Sequence, residues 1–183
     1  MKTEKGILIT TFRGREDDCA EEAWYIFSEI GYTDFWPEKI GMPGIVILKV
    51  SFDPIKAVED LIKYAKDKVW GIRYILKAIP LEIITETDYE KISNAVEVLA
   101  NKIEENKTYR ISVTNRGSSL SSRTIIEKSA EKINRKVDLK NFDYEVIIEI
   151  LGNISGISIL KREQVFSLHK IREQAIKEIS GQE

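Results

Sequence analysis

The sequence predicts a mixed α/β protein that consists of two small domains. Short apolar runs alternate with segments whose apolar residues recur at spacings of three and four, and turn residues separate the two patterns. With 183 residues, of which 43% are hydrophobic, the chain can bury its cores without covalent crosslinks. Cys19 is the single cysteine, so we expect no internal disulfide and no metal site built from cysteines.

The first half of the chain has the order strand, helix, strand, strand, helix, strand. Apolar residues recur at helical spacing from Ala20 to Ile30, and this spacing predicts that Trp24 lies in the core. Pro54 starts the second helix, because a proline at the first helical position loses no hydrogen bond. The predicted elements are a strand over 7–12, a helix over 17–30, strands over 33–39 and 45–50, a helix from 54, and a strand over 74–84. This order is typical of a ferredoxin-like domain.

The second half predicts a further α/β domain. Thr87 and Asp88 can cap one helix, and Ser121 or Ser122 can cap another. The residues that the second of these helices directs inward are Ile125, Ile126, Ala130 and Ile133. Strands are predicted over 109–113, 144–151 and 154–160, and the strongly apolar 144–151 indicates a central position in its sheet. A final helix is predicted to bury Leu168, Ile171, Ala175 and Ile179.

These patterns predict three parts of the chain. A ferredoxin-like domain covers residues 1–80, a second α/β domain covers 81–165, and a C-terminal helix and tail cover 166–183. The composition, with charged residues at 32%, is typical of a thermophilic source, because ion-pair networks hold up better at high temperature.

The charge of the chain is distributed unevenly. The net charge is −2, but the window from Lys107 to Lys140 holds nine cations and three anions and so carries +6, which leaves −8 for the remainder. Such an asymmetry indicates a localised anionic partner, although a solvated helix face explains charge asymmetry alone equally well.

Four segments of the second half form a recognisable pattern. The strand Tyr109–Gly117 (YRISVTNRG) ends in a basic residue, and a short loop leads to Leu120–Ser122 (LSS). The step Val137–Asn141 (VDLKN) then precedes the apolar strand Tyr144–Ile150 (YEVIIEI). This pattern closely resembles the THUMP domain over residues 81–165, and the first half resembles the ferredoxin-like domain that usually precedes it. The chain departs from the family at Phe142, where proline is common.

The resemblance implies binding of tRNA, typically around its acceptor end, by a domain that leaves the chemistry to a fused or partner domain. Because only one helix follows the resemblance, we expect an accessory protein without a catalytic domain. The strand Ile157–Leu160 followed by Phe166–Leu168 resembles the stand-alone adaptor for tRNA cytidine acetylation. The expected partners are therefore tRNA and a separate tRNA-modifying enzyme, an acetyltransferase.

Residue chemistry supports RNA binding at the helix that begins near Ser121. A helix N-terminus presents unpaired N–H groups and a partial positive charge, both of which favour phosphate. The spacing alone is explained if the serines cap the helix and the basic residues form a solvated surface. The THUMP resemblance favours RNA contact for both sets of residues. The predicted RNA-binding residues are Arg110, Arg116, Ser119, Ser121, Ser122, Arg123, Lys128, Lys132 and Arg135. The last three are expected to form one basic helix face.

The sequence predicts no catalytic site and no cofactor site. His169 is the only histidine, and no glycine-rich phosphate loop, metal-ligand spacing or cofactor motif occurs. No secretory signal is apparent and no run reaches the ~20 apolar residues of a membrane span, so we expect a cytoplasmic protein without membrane contact. Three alternatives stay open: a THUMP subunit for thiolation or methylation, a scaffold with no RNA role, and a small enzyme that uses His169.

Overall fold

A computed structural model describes residues 3–181, so the ends of the predicted ranges 1–80 and 166–183 lie outside the described residues. The described residues contain nine strands and five α-helices, which confirms the predicted mixed α/β class. In chain order these are β1 (Glu4–Thr10), α1 (Glu16–Glu29), β2 (Phe35–Lys39), β3 (Ile45–Val50), α2 (Pro54–Lys68), β4 (Lys77–Glu86), α3 (Tyr89–Leu99), β5 (Thr108–Arg116), α4 (Ser122–Ala130), β6 (Lys136–Val137), β7 (Tyr144–Leu151), β8 (Ile154–Leu160), β9 (Phe166–Ser167) and α5 (Leu168–Ser180).

The chain divides into two compact units. The first unit comprises Gly6–Pro80 and the residues from Gln164 onward, and the second comprises Leu81–Glu163 with the residues up to Lys5. Strand β4 therefore supplies its first residues to one unit and its last residues to the other. Within residues 3–181, no helix combines the length and the apolar character needed to cross a membrane.

The first unit has the strand order β2-β3-β1-β4, with β9 pairing with β4. Together with the element order βαββαβ, this arrangement is the ferredoxin-like split βαβ fold. Asp53 caps α2 by accepting the N–H of Ile55 at 2.9 Å, and Pro54 occupies the first helical turn as the sequence predicts.

Helix α1 buries Phe27 as predicted and packs Ala20 and Ile30 against the core, but the centre of its buried stripe is shifted away from Trp24. Its buried residues are Cys19, Ala23, Ile26 and Phe27. Trp24 follows Ala23 and is therefore turned outward, with 58% of its surface exposed, so the prediction that Trp24 lies in the core is wrong. The stripe of the smaller residues Cys19 and Ala23 faces the sheet because those side chains let the helix approach it closely. Trp36 and Trp70 are also exposed.

The C-terminal helix belongs to the first unit. Phe166 and Leu168 are buried in its core, and Ile171 and Ala175 pack against the same cluster. Strand β9 pairs with β4 just before the helix, and Ser167 caps α5 by accepting the N–H of Lys170. Ile179 was expected in the buried stripe, but it is 79% exposed because the last turns of α5 extend beyond the core.

The second unit has the strand order β4-β8-β7-β5-β6. Strand β7 lies between β8, to which it is antiparallel, and β5, to which it is parallel, which confirms its central position. The parallel register pairs Tyr109 with Tyr144 and Arg116 with Leu151. The short strand β6 pairs only with β5 and forms an edge of this part of the sheet.

Helices α3 and α4 pack on one face of this sheet. Alternate residues of β5, β7 and β8 enter the core, among them Ile148 and Ile159, while Ile92 and Val96 of α3 cover them. Helix α4 contributes Ile125, whereas Ile126 was expected to point inward and is 37% exposed. Because α4 ends at Ala130, Ile133 reaches the core from the turn after the helix.

Candidate nucleic-acid interface

The loop between β5 and α4 carries the center of the predicted site and is ordered by Asn115. The side-chain amide of Asn115 donates to the carbonyl oxygens of Ser118, at 3.2 Å, and Leu120, at 2.9 Å. Its side-chain oxygen accepts the N–H of Ser118 at 3.2 Å. Gly117 begins the loop with φ of 77°, a conformation that glycine adopts without strain. One side chain thus holds the loop in a defined shape.

The N-terminus of α4 is capped as the sequence predicts. Ser121 accepts the N–H of Thr124 at 3.3 Å through its Oγ, while Ser122 is the first residue of the helix. The Tyr89 hydroxyl of α3 accepts the N–H of Ser121 at 2.9 Å and so fixes the start of α4 against α3. Ser119 is exposed in the loop just before the helix. The three predicted serines therefore lie together at one helix N-terminus.

A polar depression adjoins this loop and has a volume of about 610 Å³. Its lining residues are Glu86, Thr87, Gly117, Ser118, Ser119, Leu120, Gly152 and Asn153. Hydroxyls, amides and exposed backbone groups dominate the lining, and these groups suit the phosphate and sugar oxygens of a nucleic acid. Glu86 is the one anion of the lining, and Lys91 is hydrogen-bonded to its carboxylate.

The two arginines of β5 are held by carboxylates of β7. Arg116 pairs with Glu149 through Nη1 and Oε2, and Arg110 donates to Glu145 from both Nε, at 3.1 Å, and Nη2, at 2.8 Å. Ser112 also donates to Glu145. Both guanidinium groups therefore donate hydrogen bonds to carboxylates of the same unit. The sequence predicted both arginines as RNA ligands, and the structure shows that each already has a carboxylate partner.

The basic residues around α4 are also paired. The side chain of Arg123 is 88% exposed, and its one ion-pair partner within residues 3–181 is Glu127, one turn further along α4, at 2.9 Å. Lys128 and Lys132 reach across to α3, where they pair with Glu90 at 2.8 Å and Glu97 at 3.5 Å. Hydrogen bonding to Glu90 raises the pKa of Lys128. These two lysines tie the helices together.

The predicted basic helix face is not formed. Helix α4 ends at Ala130, so Lys132 and Arg135 lie in the turns after it. Arg135 donates through Nε to the carbonyl oxygens of Ile103, at 2.7 Å, and Glu104, at 3.1 Å. The predicted face assumed that the helix continues for about one and a half further turns. The residues from Glu131 to Arg135 instead form a connection to β6.

Two residues that organise this interface were missed from the sequence. Asn115 shapes the loop and Tyr89 positions the start of α4, but neither was proposed as a site residue. The Asn-Arg-Gly run at 115–117 is a turn signal that indicates a structured loop. No local signal identifies Tyr89, because its hydrogen bond joins residues 32 positions apart.

The described residues were compared with the requirements of a metal site and of a catalytic histidine or cysteine. Over residues 3–181, no group of three or more histidine, cysteine or carboxylate side chains could hold a metal ion. The side chain of His169 is 81% exposed on α5 and approaches only Glu173, at 3.5 Å. Cys19 is buried, and desolvation raises the pKa of its thiol to about 12.

A family model for the THUMP domain matches residues 86–160. The chain contains a THUMP domain. The match covers α3 to β8, including the Asn115 loop and the N-terminus of α4. A THUMP domain implies RNA binding and a role in tRNA modification.

Two proteins resemble the whole THUMP-containing chain in sequence. MJ0421, an uncharacterized protein of Methanocaldococcus jannaschii, is 29% identical over 172 residues, which cover 90% of this chain and 41% of that protein. The uncharacterized protein C25H2.10c of Schizosaccharomyces pombe is 23% identical over 224 residues, which cover 94% of this chain and 77% of that protein. The chain thus spans less than half of the archaeal relative.

Solved structures share the fold of this THUMP-containing chain. PH1313 from Pyrococcus horikoshii Ot3 matches with a TM-score of 0.63 and 20% identity, over 86% of this chain and 55% of that chain. TrmN from Thermus thermophilus matches with a TM-score of 0.58 and 17% identity, over 85% of this chain and 45% of that chain. A 4-thiouridine synthetase in complex with RNA and ATP matches with a TM-score of 0.55 and 13% identity, over 86% of this chain and 42% of that chain.

The expectation of an accessory protein without a catalytic domain is contradicted by these structures. SMU.472, a putative methyltransferase solved with SAH, shares the fold with a TM-score of 0.51 and 12% identity, over 87% of this chain and 42% of that chain, and the 4-thiouridine synthetase was solved with bound ATP. The expectation rested on the short stretch that follows residue 165, and the fold itself occurs in catalytic proteins. It therefore gives no ground for excluding catalysis.

Proposed function

We propose that the chain binds tRNA and holds it for chemical modification of one nucleotide. The THUMP domain at residues 86–160 is the observation that carries this proposal. The ordered loop at Asn115, the capped N-terminus of α4 and the adjoining polar depression supply suitable contacts for an RNA backbone. Such contacts position a ligand without reading its bases, so we expect shape and the single-stranded acceptor end to dominate recognition.

Our narrower proposal is that the reaction is N4-acetylation of cytidine and that the chain presents tRNA to an acetyltransferase. The resemblance of Ile157–Leu160 and Phe166–Leu168 to the acetylation adaptor supports it. Thiolation and methylation are the alternatives, and the fold likeness to a 4-thiouridine synthetase solved with RNA favours thiolation as the second candidate.

Binding is tested by fluorescence anisotropy of labelled tRNA across a series of salt concentrations. We expect affinity to fall steeply with salt, because each phosphate contact releases a counterion. Arg123→Glu is the suitable variant since Arg123 is highly exposed and its only partner is a neighbouring residue on α4. Lys66→Glu on α2 makes the same charge change at an exposed position of the first unit.

Weaker binding by Arg123→Glu than by Lys66→Glu, and by tRNA without its single-stranded end, would support the proposal. Absence of salt-sensitive binding by the wild-type chain would contradict it and favour a scaffold. The reaction is identified by mass spectrometry of tRNA nucleosides from cells that lack the chain. Loss of N4-acetylcytidine supports the narrower proposal, whereas loss of a thiolated or methylated nucleoside assigns the chain to that modification.

A further inference from the structure

Apart from Lys161, the cations between residues 81 and 163 fall into two groups according to their partners. Those with a carboxylate partner are Lys91, Lys102, Arg110, Arg116, Arg123, Lys128 and Lys132. Those that form no ion pair with any carboxylate in residues 3–181 are Lys107, Arg135, Lys136, Lys140 and Arg162. The first group contains most of the sequence-predicted RNA-binding cations, and the second contains only Arg135.

The unpaired cations are neighbours although they are far apart in sequence. Thr108, which follows Lys107, pairs with Lys136 in the register of β5 and β6. Arg162 donates from Nη2 to the carbonyl oxygen of Lys140 at 2.7 Å. We call Lys107, Lys136, Lys140 and Arg162 the β6 edge, because they surround the short edge strand β6. The N–H of Asp138 donates to the carbonyl oxygen of Tyr109 and holds the loop after β6 in place.

Two carboxylates near the β6 edge are hydrogen-bonded by the backbone, and Lys136 and Lys107 act on them through longer-range attraction without forming a close ion pair. Asp138 accepts the N–H groups of Lys140, at 3.0 Å, and Asn141, at 2.9 Å. Asp143 accepts the N–H of Thr108 at 2.9 Å and its hydroxyl at 3.1 Å. Hydrogen bonds from these N–H groups hold the pKa of both carboxyls below the usual range. The lysine ammonium groups are therefore left for an external anion.

Arg162 is held in place by an aromatic stack. Its Cζ lies 4.1 Å from the ring centroid of Phe142, and the Cζ of Arg110 lies 4.1 Å from the same centroid. Phe142 is buried, so the ring fixes the two guanidinium groups with little freedom. Such a fixed guanidinium can grip phosphate with parallel N–H groups.

Two apolar residues beside these cations are exposed. Leu139 is 69% and Val137 is 50% exposed, between Lys136 and Lys140. Strand β5 covers nine residues, so the β6 edge lies about 26 Å along the strand from the end where the Asn115 loop begins. A ligand that uses both ends must be an extended polyanion, which fits an RNA backbone.

We propose that the β6 edge binds backbone phosphates of the tRNA, as a second contact beyond the N-terminus of α4. This inference rests on the proposed function. The contact is independent of base sequence, since lysine ammonium groups and a fixed guanidinium recognise phosphate charge and geometry.

The test compares three proteins by anisotropy with labelled tRNA over the same salt series. The edge variant is Lys107→Gln/Lys136→Gln/Lys140→Gln. The matched control is Lys66→Gln/Lys170→Gln/Lys177→Gln, at exposed lysines of α2 and α5 that form no ion pair among the described residues. Each variant removes three positive charges. We expect the edge variant to bind at least about tenfold more weakly, with a salt slope lower by about three, and the control to change affinity by less than about twofold. Thermal unfolding of each variant checks that the fold is retained.

Equal losses in the two variants would show a general effect of net charge and overturn the proposal. Unchanged tRNA affinity of the edge variant would overturn the proposal as well. If that variant instead loses binding to the modifying enzyme, the β6 edge is a contact surface for that protein. A wild-type chain that does not bind tRNA at any salt concentration instead overturns the proposed function, and the wild-type measurement alone reveals this outcome.

Discussion

Arg116, the last residue of β5, forms an ion pair with Glu149 of β7, whose side chain is only 5% exposed. The sequence suggests Arg116 as a phosphate ligand, because it precedes a glycine loop and a helix N-terminus. The structure shows that it also neutralises a buried carboxylate in the central strand. Its replacement therefore tests folding as well as RNA binding.

Charge reversal of Arg116 is expected to destabilise the protein strongly. Arg116→Glu removes the partner of a buried carboxylate and adds a like charge, which typically costs about 3–5 kcal/mol in free energy of unfolding. Arg123→Glu, at an exposed pair within α4, should cost no more than about 1 kcal/mol. Urea unfolding followed by circular dichroism measures both. Equal stability of the two variants would contradict the assigned role of the Arg116–Glu149 pair.

Removal of the Asn115 side chain is expected to weaken tRNA binding with little loss of global stability. Asn115→Ala releases the loop from its hydrogen bonds to Ser118 and Leu120. We expect about a fivefold loss of affinity, equivalent to roughly 1 kcal/mol. Asn101→Ala, at an exposed position after α3, is the matched control. Identical tRNA affinities of the two variants would show that the loop does not contribute to binding.

Glu16 is expected to make stability depend on pH in the acidic range. Its Oε1 accepts the N–H groups of Gly44, at 2.5 Å, and Gly14, at 3.1 Å, and the bond from Gly44 is the main cause of a pKa below the usual 4.5. A lowered folded-state pKa stabilises the protein above the unfolded-state pKa, and this contribution is lost as pH falls through the folded-state pKa.

The corresponding measurement is urea unfolding of Glu16→Gln between pH 7 and pH 3. The variant should be less stable than wild type at pH 7, and the difference should shrink as the pH falls below about 4.5. Glu21→Gln on the same helix serves as the control. A difference that stays constant over the whole range would rule out the ionised carboxylate as its cause.

Cys19 is expected to be inert in the folded protein. Its side chain is fully buried, and desolvation raises the pKa of its thiol to about 12, so the reactive thiolate is scarce near neutral pH. A colorimetric thiol reagent at pH 8 should label it only at the rate of unfolding. The same reagent should label one thiol per chain at once in denaturant. Rapid labelling without denaturant would show that the first unit opens locally around α1.

Local sequence patterns were sufficient for the five helices and the seven longer strands, but not for the two-residue strands β6 and β9. Asp88 and Ser121 cap helices where the sequence predicts, because a cap depends on residues within one turn. The order of elements and the apolar run at 144–151 also predicted the sheet with β7 in its centre. The THUMP resemblance rests on such short segments, and the family match at residues 86–160 agrees with it.

Local patterns were insufficient where several positions of one helix could face the core. Spacings of three and four are compatible with a buried Trp24, yet Cys19 and Ala23 are the residues of α1 that are buried in the core. The choice depends on how closely α1 approaches its sheet, and that distance is set by residues from other elements.

The sequence by itself determined the mixed α/β class, the helix caps, the THUMP domain and the excess of positive charge between Lys107 and Lys140. Only the tertiary structure decided which of those charges are available. Lys128 and Lys132 are paired with α3, while Lys136 and Lys140 have no carboxylate partner among the described residues. The reason is physical: net charge is a sum along the chain, but ion pairing depends on distances between residues that are remote in sequence.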